Sequence, residues 1–505
     1  MMRALGLISF AVLCSCSDYT VITVDTRPAV HDPTAIAPQT GASGVAELRV
    51  TLTNGGDERI ETLSLGGSSF PVDFSYSSTD LSGDVRVQVE ALTANGTPIG
   101  HGVAVVPAST GSARLILDGA DFVVNTTYAG DQMLAGDDDD SGGFQLASND
   151  DGTWTVVFRE SCSTCDMFAR RFDKHGYPLV SSLASPDPRA QFKLSTATTM
   201  STSTPAVAAT PTRLTLAVWD TNAGVLCRGI DDTGADTTGA LQISTDGTSD
   251  VVSLAPLANN NFAVAWRGYD TKNVIRTMII RPFCTALTTP VVTSTSNGTA
   301  ATRPSVATNG SRVLYAWILD GSVHIRAANE SNEFDTTTDV QLIAKTASEQ
   351  IKFVRVTPAS DGGFALFARW ATIDEAGTGK ITMYRLGPTG ALLGQGTDVA
   401  VDTKADNQSV RAFGVATRRP DMSMFVTWHT CAIAGCDVFG RFIAADGRMI
   451  GDVIAVATTT GGDQINPSVT GLPEGVAIAW RDDSHQSPDA LGGAVRARIL
   501  SWPAE

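Results

Sequence analysis

Phe262-Ala-Val-Ala-Trp266 is one of seven near-repeats that decide how this 505-residue chain folds. The others are Thr153-Trp-Thr-Val-Val-Phe158, Leu214-Thr-Leu-Ala-Val-Trp219, Val313-Leu-Tyr-Ala-Trp317, Phe364-Ala-Leu-Phe-Ala368, Met424-Phe-Val-Thr-Trp428 and Val476-Ala-Ile-Ala-Trp480. Their last residues are spaced by 61, 47, 51, 51, 60 and 52 positions, uneven only as loop lengths are uneven. Within the quoted strand, Phe262, Val264 and Trp266 share one face, while Ala263 and Ala265 share the other. A large face set against a small face suits sheets that stack and bury both sides.

Each copy continues in the same way. A third strand carries Arg170, Arg228, Arg326, Arg385, Arg441 or Arg498. Most copies then turn through a glycine, as at Gly176, Gly234, Gly390 and Gly447, where a hairpin favours positive φ. A fourth strand follows, for example over 241–244, 340–344 and 453–457. Four-strand units at such a period predict an all-β, seven-bladed β-propeller over residues 121–505. The seventh copy runs out at Glu505 with no room for its fourth strand. Residues 127–135, upstream of the first copy, are therefore expected to close the last blade by pairing around 494–500, because an open ring leaves exposed edges.

The chain begins with Met1, Met2 and Arg3, and an apolar run over 4–13 that is too short to span a bilayer. Leu13-Cys14-Ser15-Cys16 then resembles the lipobox of bacterial lipoproteins. The resemblance implies a signal peptide over 1–15 and a diacylglyceryl group, with palmitate, on Cys16. Ser17 directly after it implies the outer membrane, extracytoplasmic and held by the lipid anchor alone. Residues 16–44, rich in Thr, Pro, Ala and Gly, read as a flexible tether. Over 45–120, alternating runs such as Glu47-Leu-Arg-Val-Thr-Leu52 and Asp84-Val-Arg-Val-Gln-Val-Glu-Ala91 predict about six strands of a small Ig-like β-sandwich.

Lys and Arg number 36 against 53 Asp and Glu, a formal charge of −17. That balance opposes nucleic-acid binding, which is driven mainly by attraction to phosphate. A monomer with a protein or glycan ligand on its loops is expected.

Two cysteine pairs, Cys162 with Cys165 and Cys431 with Cys436, fall in the same hairpin of copies one and six. They read as disulfides of an oxidising compartment. A redox or zinc role lacks the required strand–helix or four-ligand setting. Cys227 and Cys284, offset along their copies by about seven positions, are expected to remain unpaired, since about 20 Å would separate them.

Asp137, Asp138, Asp139 and Asp140 could gather Ca²⁺ through clustered carboxylates, though without EF-hand spacing; no other cofactor is indicated. Ser148-Asn-Asp-Asp-Gly-Thr-Trp154 resembles the Asp-box of sialidase-like propellers but is one residue short, and reads as a turn. The recurrent Arg and Trp residues read as packing, because a single site should break a repeat rather than obey it. Three functions remain open: a surface-anchored binding or scaffold module, a glycan hydrolase or lyase, and a structural envelope protein. No Ser/His/Asp arrangement or metal-ligand spacing supports the enzyme. The outgrown loops, 186–203, 372–380 and 404–420, are where a ligand is expected.

Overall fold

The computed structural model describes residues 19–26, 45–54, 57–66, 70–77, 84–94, 96, 98–107, 112–119, 121–127, 131–134, 145–161, 166–195, 205–221, 224–234, 239–245, 252–269, 272–294, 301–373, 379–401, 409–418, 421–432, 435–459, 461–486 and 492–503. Every regular element among them is a strand, apart from one 3-10 turn, Pro282–Cys284. The chain forms two compact units, the smaller ending at Gly119 and the larger running from Ala120 to Glu505.

Seven strands build the smaller unit: Tyr19–Thr26, Glu47–Asn54, Asp57–Ser64, Val72–Ser77, Asp84–Leu92, Pro98–Pro107 and Ser112–Gly119. Their order in the sheet is third, second, fifth, sixth, seventh, first, fourth. Alternate residues, such as Leu48, Val50 and Leu52 or Val85, Val87 and Val89, enter one shared core. Tyr19–Thr26 corrects the expected tether. This strand runs parallel to Ser112–Gly119 and antiparallel to Val72–Ser77, with Ile22 and Val24 fully buried. Three aliphatics in a Thr-rich stretch, only two of them buried, are a weak signal, which is why the segment reads as linker. The remainder of that stretch, 27–44, and the whole signal region with Cys16 lie outside the described residues.

In the larger unit, seven sheets of the described residues follow one another along the chain, the first of five strands and the other six of four. Sheet three is representative: Val252–Pro256, Phe262–Tyr269, Asn273–Ile280 and Val291–Val292, each antiparallel to the one before. The first strands of sheets one to seven are Leu146–Ser148, Ala206–Ala209, Val252–Pro256, Ala301–Thr308, Glu349–Pro358, Ser409–Thr417 and Gln464–Gly471. The large-against-small alternation does the stacking. Phe262, Val264 and Trp266 pack with Ala206, Val218 and Cys227 of sheet two. Ala263 and Ala265, on the other face, receive Tyr315 and Trp317 of sheet four. Burying both faces in this way supplies the apolar area that holds neighbouring sheets together.

Most of the third-strand arginines are ties between sheets. Arg228 donates to the carbonyls of Lys193 and Leu194, Arg326 to Thr293, Arg441 to Val399 and Arg498 to Val456, each at or just past the fourth strand of the preceding sheet. Arg385 is out of step: Tyr384 stands opposite Leu366, the position where sheets one, two, four, six and seven carry arginine and sheet three carries Met278.

The last sheet is closed from upstream, but not by residues 127–135. Its fourth strand is Phe122–Val123, which pairs with Arg496 and Ala497 of Ala494–Ser501. Arg170 treats it as it should a preceding fourth strand, donating to the Val124 carbonyl at 2.7 Å. Asp131–Met133, within the expected closing segment, pairs instead with Arg159–Ser161 of sheet one; its backbone bond to sheet seven is Gln132 N–H to the Gly493 carbonyl. Phe122–Val123 has two paired residues, too few to show the periodicity that marks a strand in sequence.

A second correction concerns Cys227 and Cys284, which form a disulfide with Cα atoms 5.9 Å apart. The expected separation assumed that both lie along parallel strand axes. In the fold, the turn Pro282–Cys284 leaves sheet three sideways and lies against the third strand of sheet two. Gly229 makes this approach possible, since a Cβ there would stand 2.7 Å from the Phe283 side chain. Cys431 and Cys436 are also bonded, across the hairpin of sheet six. Cys162 and Cys165 lie outside the described residues, as do Asp137 to Asp140.

Candidate functional site: an axial channel

All seven first strands line one cavity of about 500 Å³. Ala147, Ala208, Ala255, Ala307, Val356, Ala416 and Thr470 contribute one residue from each sheet. Sheets in sequence around a common cavity, closed end to end by Phe122–Val123, make the larger unit a β-propeller with its cavity on the axis. The lining runs from the middle of the first strands to the turns that lead into the second strands, where Asn149, Asp150, Pro358 and Pro473 form the mouth.

Pairing with the second strands puts the first strands in register. The residues opposite the position just before each quoted Trp, Phe or Ala anchor are Ala206, Ser253, Ser305, Arg355, Gly414 and Ser468 in sheets two to seven, with Gln145 the counterpart in sheet one. Three of these are serines used alike. Ser253 Oγ accepts from Val306 N–H, Ser305 Oγ from Val356 N–H and Ser468 Oγ from Gln145 N–H, at 3.0 Å each. Each hydroxyl thereby satisfies a backbone donor on the inner edge of the next first strand.

Arg355 breaks this row. Among the described residues it is the only basic one in the lining, and its register position lies one residue deeper than the innermost lining residue of any other strand. The residue is 3% exposed. Its guanidinium donates to the Val354 carbonyl at 3.0 Å and lies 5.3 Å from the Phe353 ring and 5.9 Å from the Phe413 ring. Burial, and then the neighbouring Arg303 charge, lower its pKa to about 9, so it is still a cation at neutral pH. Arg303 reaches the same aromatic ring from sheet four, 4.1 Å from the Phe353 centroid, with Nη1 on the Lys352 carbonyl at 2.7 Å.

Beyond Arg355, away from the mouth, sheets four to seven carry bulges at matching places in their first strands, around 303, 352, 411 and 466. A bulge leaves backbone groups out of the ladder. Side chains of the preceding sheet take them up in three cases: Arg303 bonds the Lys352 carbonyl, Arg369 the Val410 carbonyl at 2.7 Å, and His429 Nδ1 accepts Asn466 N–H at 3.3 Å.

Among the described residues Asp150 is the one carboxylate of the lining, so the described channel wall has no pair of carboxylates of the kind a glycosidase uses. Among the described residues no group of three or more His, Cys, Asp or Glu could hold a metal. The segment 148–154 is a turn: Gly152 has φ of 84°, and Asp151 accepts both the Thr153 N–H and hydroxyl. Two of the expected outgrown loops contain strands, Phe192–Lys193 in the first and Ser409–Thr417 in the third.

Sequence reasoning missed Arg355. The signal lay in the first strands, which only align once the second-strand anchors are used as a ruler.

No protein-family model matches the chain, and no curated protein matches its sequence. Among solved structures, it is similar to an ulvan lyase of a polysaccharide-lyase family, at 9% identity over 73% of this chain and 95% of that one, with a TM-score of 0.45. A protein of unknown function from Dyadobacter fermentans matches at 12% identity over 76% and 98%, with a TM-score of 0.42. The β-propeller domain of the Trilobed protease from Pyrococcus furiosus matches at 7% identity over 67% and 91%, with a TM-score of 0.39. At these scores none of the three says what this chain binds or does.

Proposed function

We propose that this chain is a lipid-anchored extracytoplasmic binding module, monomeric, held at the bacterial outer membrane through Cys16. In this reading the seven sheets are the seven blades of one propeller, and the smaller unit is an Ig-like sandwich that follows the anchor in the chain. The ligand, a glycan or a protein segment, enters the axial channel. One observation carries the reading: an otherwise regular channel wall is interrupted at its deepest point by a buried arginine. Arg170, Arg228, Arg369 and Arg498, also buried, tie neighbouring sheets through backbone carbonyls. The Arg355 position, by contrast, is filled without a charge in the other six sheets, and burying one is costly.

The test is direct. Purified full chain in detergent is screened on glycan and peptide arrays, and every hit is assayed for turnover. Binding without cleavage, competed by a soluble form of the hit, supports the module. Cleavage would replace it with the hydrolase or lyase, and silence on both arrays would leave the structural role.

A further inference from the structure

We propose that Arg355 seats an oxyanion group of the channel ligand, a carboxylate, sulfate or phosphate that enters between Asp150 and Pro358 and travels to the inner end. This rests on the channel being the binding site and adds what the ligand must carry.

Three features lead there. The first is position: Arg355 stands where Ser253, Ser305 and Ser468 bridge to the next sheet, and serine, alanine or glycine satisfies that position without a charge. The second is presentation. A guanidinium carries five N–H donors in a planar fork suited to oxyanions; here Nη1 already holds the Val354 carbonyl, and the Phe353 and Phe413 rings restrict how the group can turn. The third is the local field. Arg303 and Arg355 converge on the Phe353 ring from adjacent sheets, so their potentials add at the inner end of the channel, where Arg355 is itself buried and the effective dielectric is lower than in bulk water. An anion placed there is stabilised by both charges. A neutral ligand gains only the weaker attraction between a charge and a dipole.

The chain as a whole carries −17, so its general field repels anions. Binding of one must come from a local seat.

Calorimetric titration of the full chain in detergent with sodium sulfate, sodium phosphate, glucuronate and neutral glucose is the experiment. At least one of the three anions should bind, and glucose should not. Arg355→Met should weaken that binding by about 10- to 100-fold, the size of one lost charge-assisted hydrogen bond, while Arg355→Lys, a point charge without the fork, should fall between. Asp150 stands exposed at the mouth, so Asp150→Lys should strengthen anion binding several-fold without touching the packed interior, and serves if Arg355→Met fails to fold. Anion binding unchanged in a folded Arg355→Met, or in Asp150→Lys where Arg355→Met does not fold, overturns the seat. So does an array hit that binds while no anion competes with it, an outcome that leaves the binding module standing. Failure of every anion together with silent arrays removes both. Which of sulfate, phosphate and glucuronate binds best identifies the group.

Discussion

At the scale of single residues, the informative positions are those where one copy departs from the other six. The anchors Trp219, Trp266, Trp317 and Trp480 are at most 1% exposed and explain stacking; Arg355 packs on the Phe353 and Phe413 rings but puts a charge at a register position where the other six first strands have none. His429 is a second departure. It directly follows its anchor, is fully buried, and accepts a backbone N–H through Nδ1, so its remaining proton is on Nε2. Burial first, and then the charges of Arg369 and Arg411, lower its pKa from 6.5 to about 3. The folded state therefore refuses a proton that the unfolded state accepts. This contribution to stability is complete above pH 6.5 and is lost as pH falls from there toward 3. By pH 4 the loss amounts to about 3 kcal/mol. Urea melts of the wild type and of His429→Gln at pH 7 and pH 4 isolate the histidine's share, since all other groups are common to both. The variant should lose about 3 kcal/mol less on acidification; equal losses would mean that His429 does not titrate as described.

At the scale of strands and turns, legibility follows length and repetition. Second and third strands of six to nine residues announce themselves by alternation and by the arginine ties, and are readable from sequence. Phe122–Val123 and Phe192–Lys193, with two residues each, give no periodic signal and depend on neighbours to be strands at all. Cys227 and Cys284 are unreadable for a related reason: one turn changes sheets, and Gly229, which permits it, looks like any strand glycine. That turn has consequences for stability. The Cys227–Cys284 bond closes 57 residues of chain and joins two sheets, which the chain-entropy estimate values at about 4 kcal/mol. Cys431–Cys436 closes 5 residues within one hairpin, worth about 2 kcal/mol on the same estimate. Denaturant unfolding of Cys227→Ser/Cys284→Ser should therefore show roughly twice the destabilisation of Cys431→Ser/Cys436→Ser. Equal or reversed losses would mean that the turn stays docked on sheet two without its bond.

At the scale of the whole molecule, a ring of sheets is only as stable as its closure, and closure here joins residues more than 370 positions apart. Phe122–Val123 contributes just two paired residues, so the pairing needs help. Asp121, directly before it, supplies that help. Its carboxylate accepts from the backbone and hydroxyl of both Thr458 and Thr459, just past the fourth strand of sheet six, and from Arg496 of sheet seven at 3.2 Å. Arg496 also bonds Asp482 at 2.7 Å, and all three side chains are at most 5% exposed. One carboxylate thus ties the start of the propeller to its sixth and seventh sheets. Removing the carboxylate leaves Arg496 with the Asp482 carboxylate alone and strands the Thr458 and Thr459 donors. Hydrogen bonds to a charged group are worth about 1.5–3 kcal/mol each, so a loss of about 3 kcal/mol or more is expected. Asp121→Ala should lose stability on that order, and native-state hydrogen exchange should show why: the amides of Thr458, Thr459 and Val495 should lose protection together, ahead of those in sheets two to five. Asp121→Asn, which keeps an acceptor for the threonines but not the charge facing Arg496, should lose less. If Asp121→Ala unfolds within about 1 kcal/mol of the wild type, less than one hydrogen bond to a charged group is worth, with those amides still protected, the two paired residues and the Arg170 tie to Val124 hold the ring without the clasp.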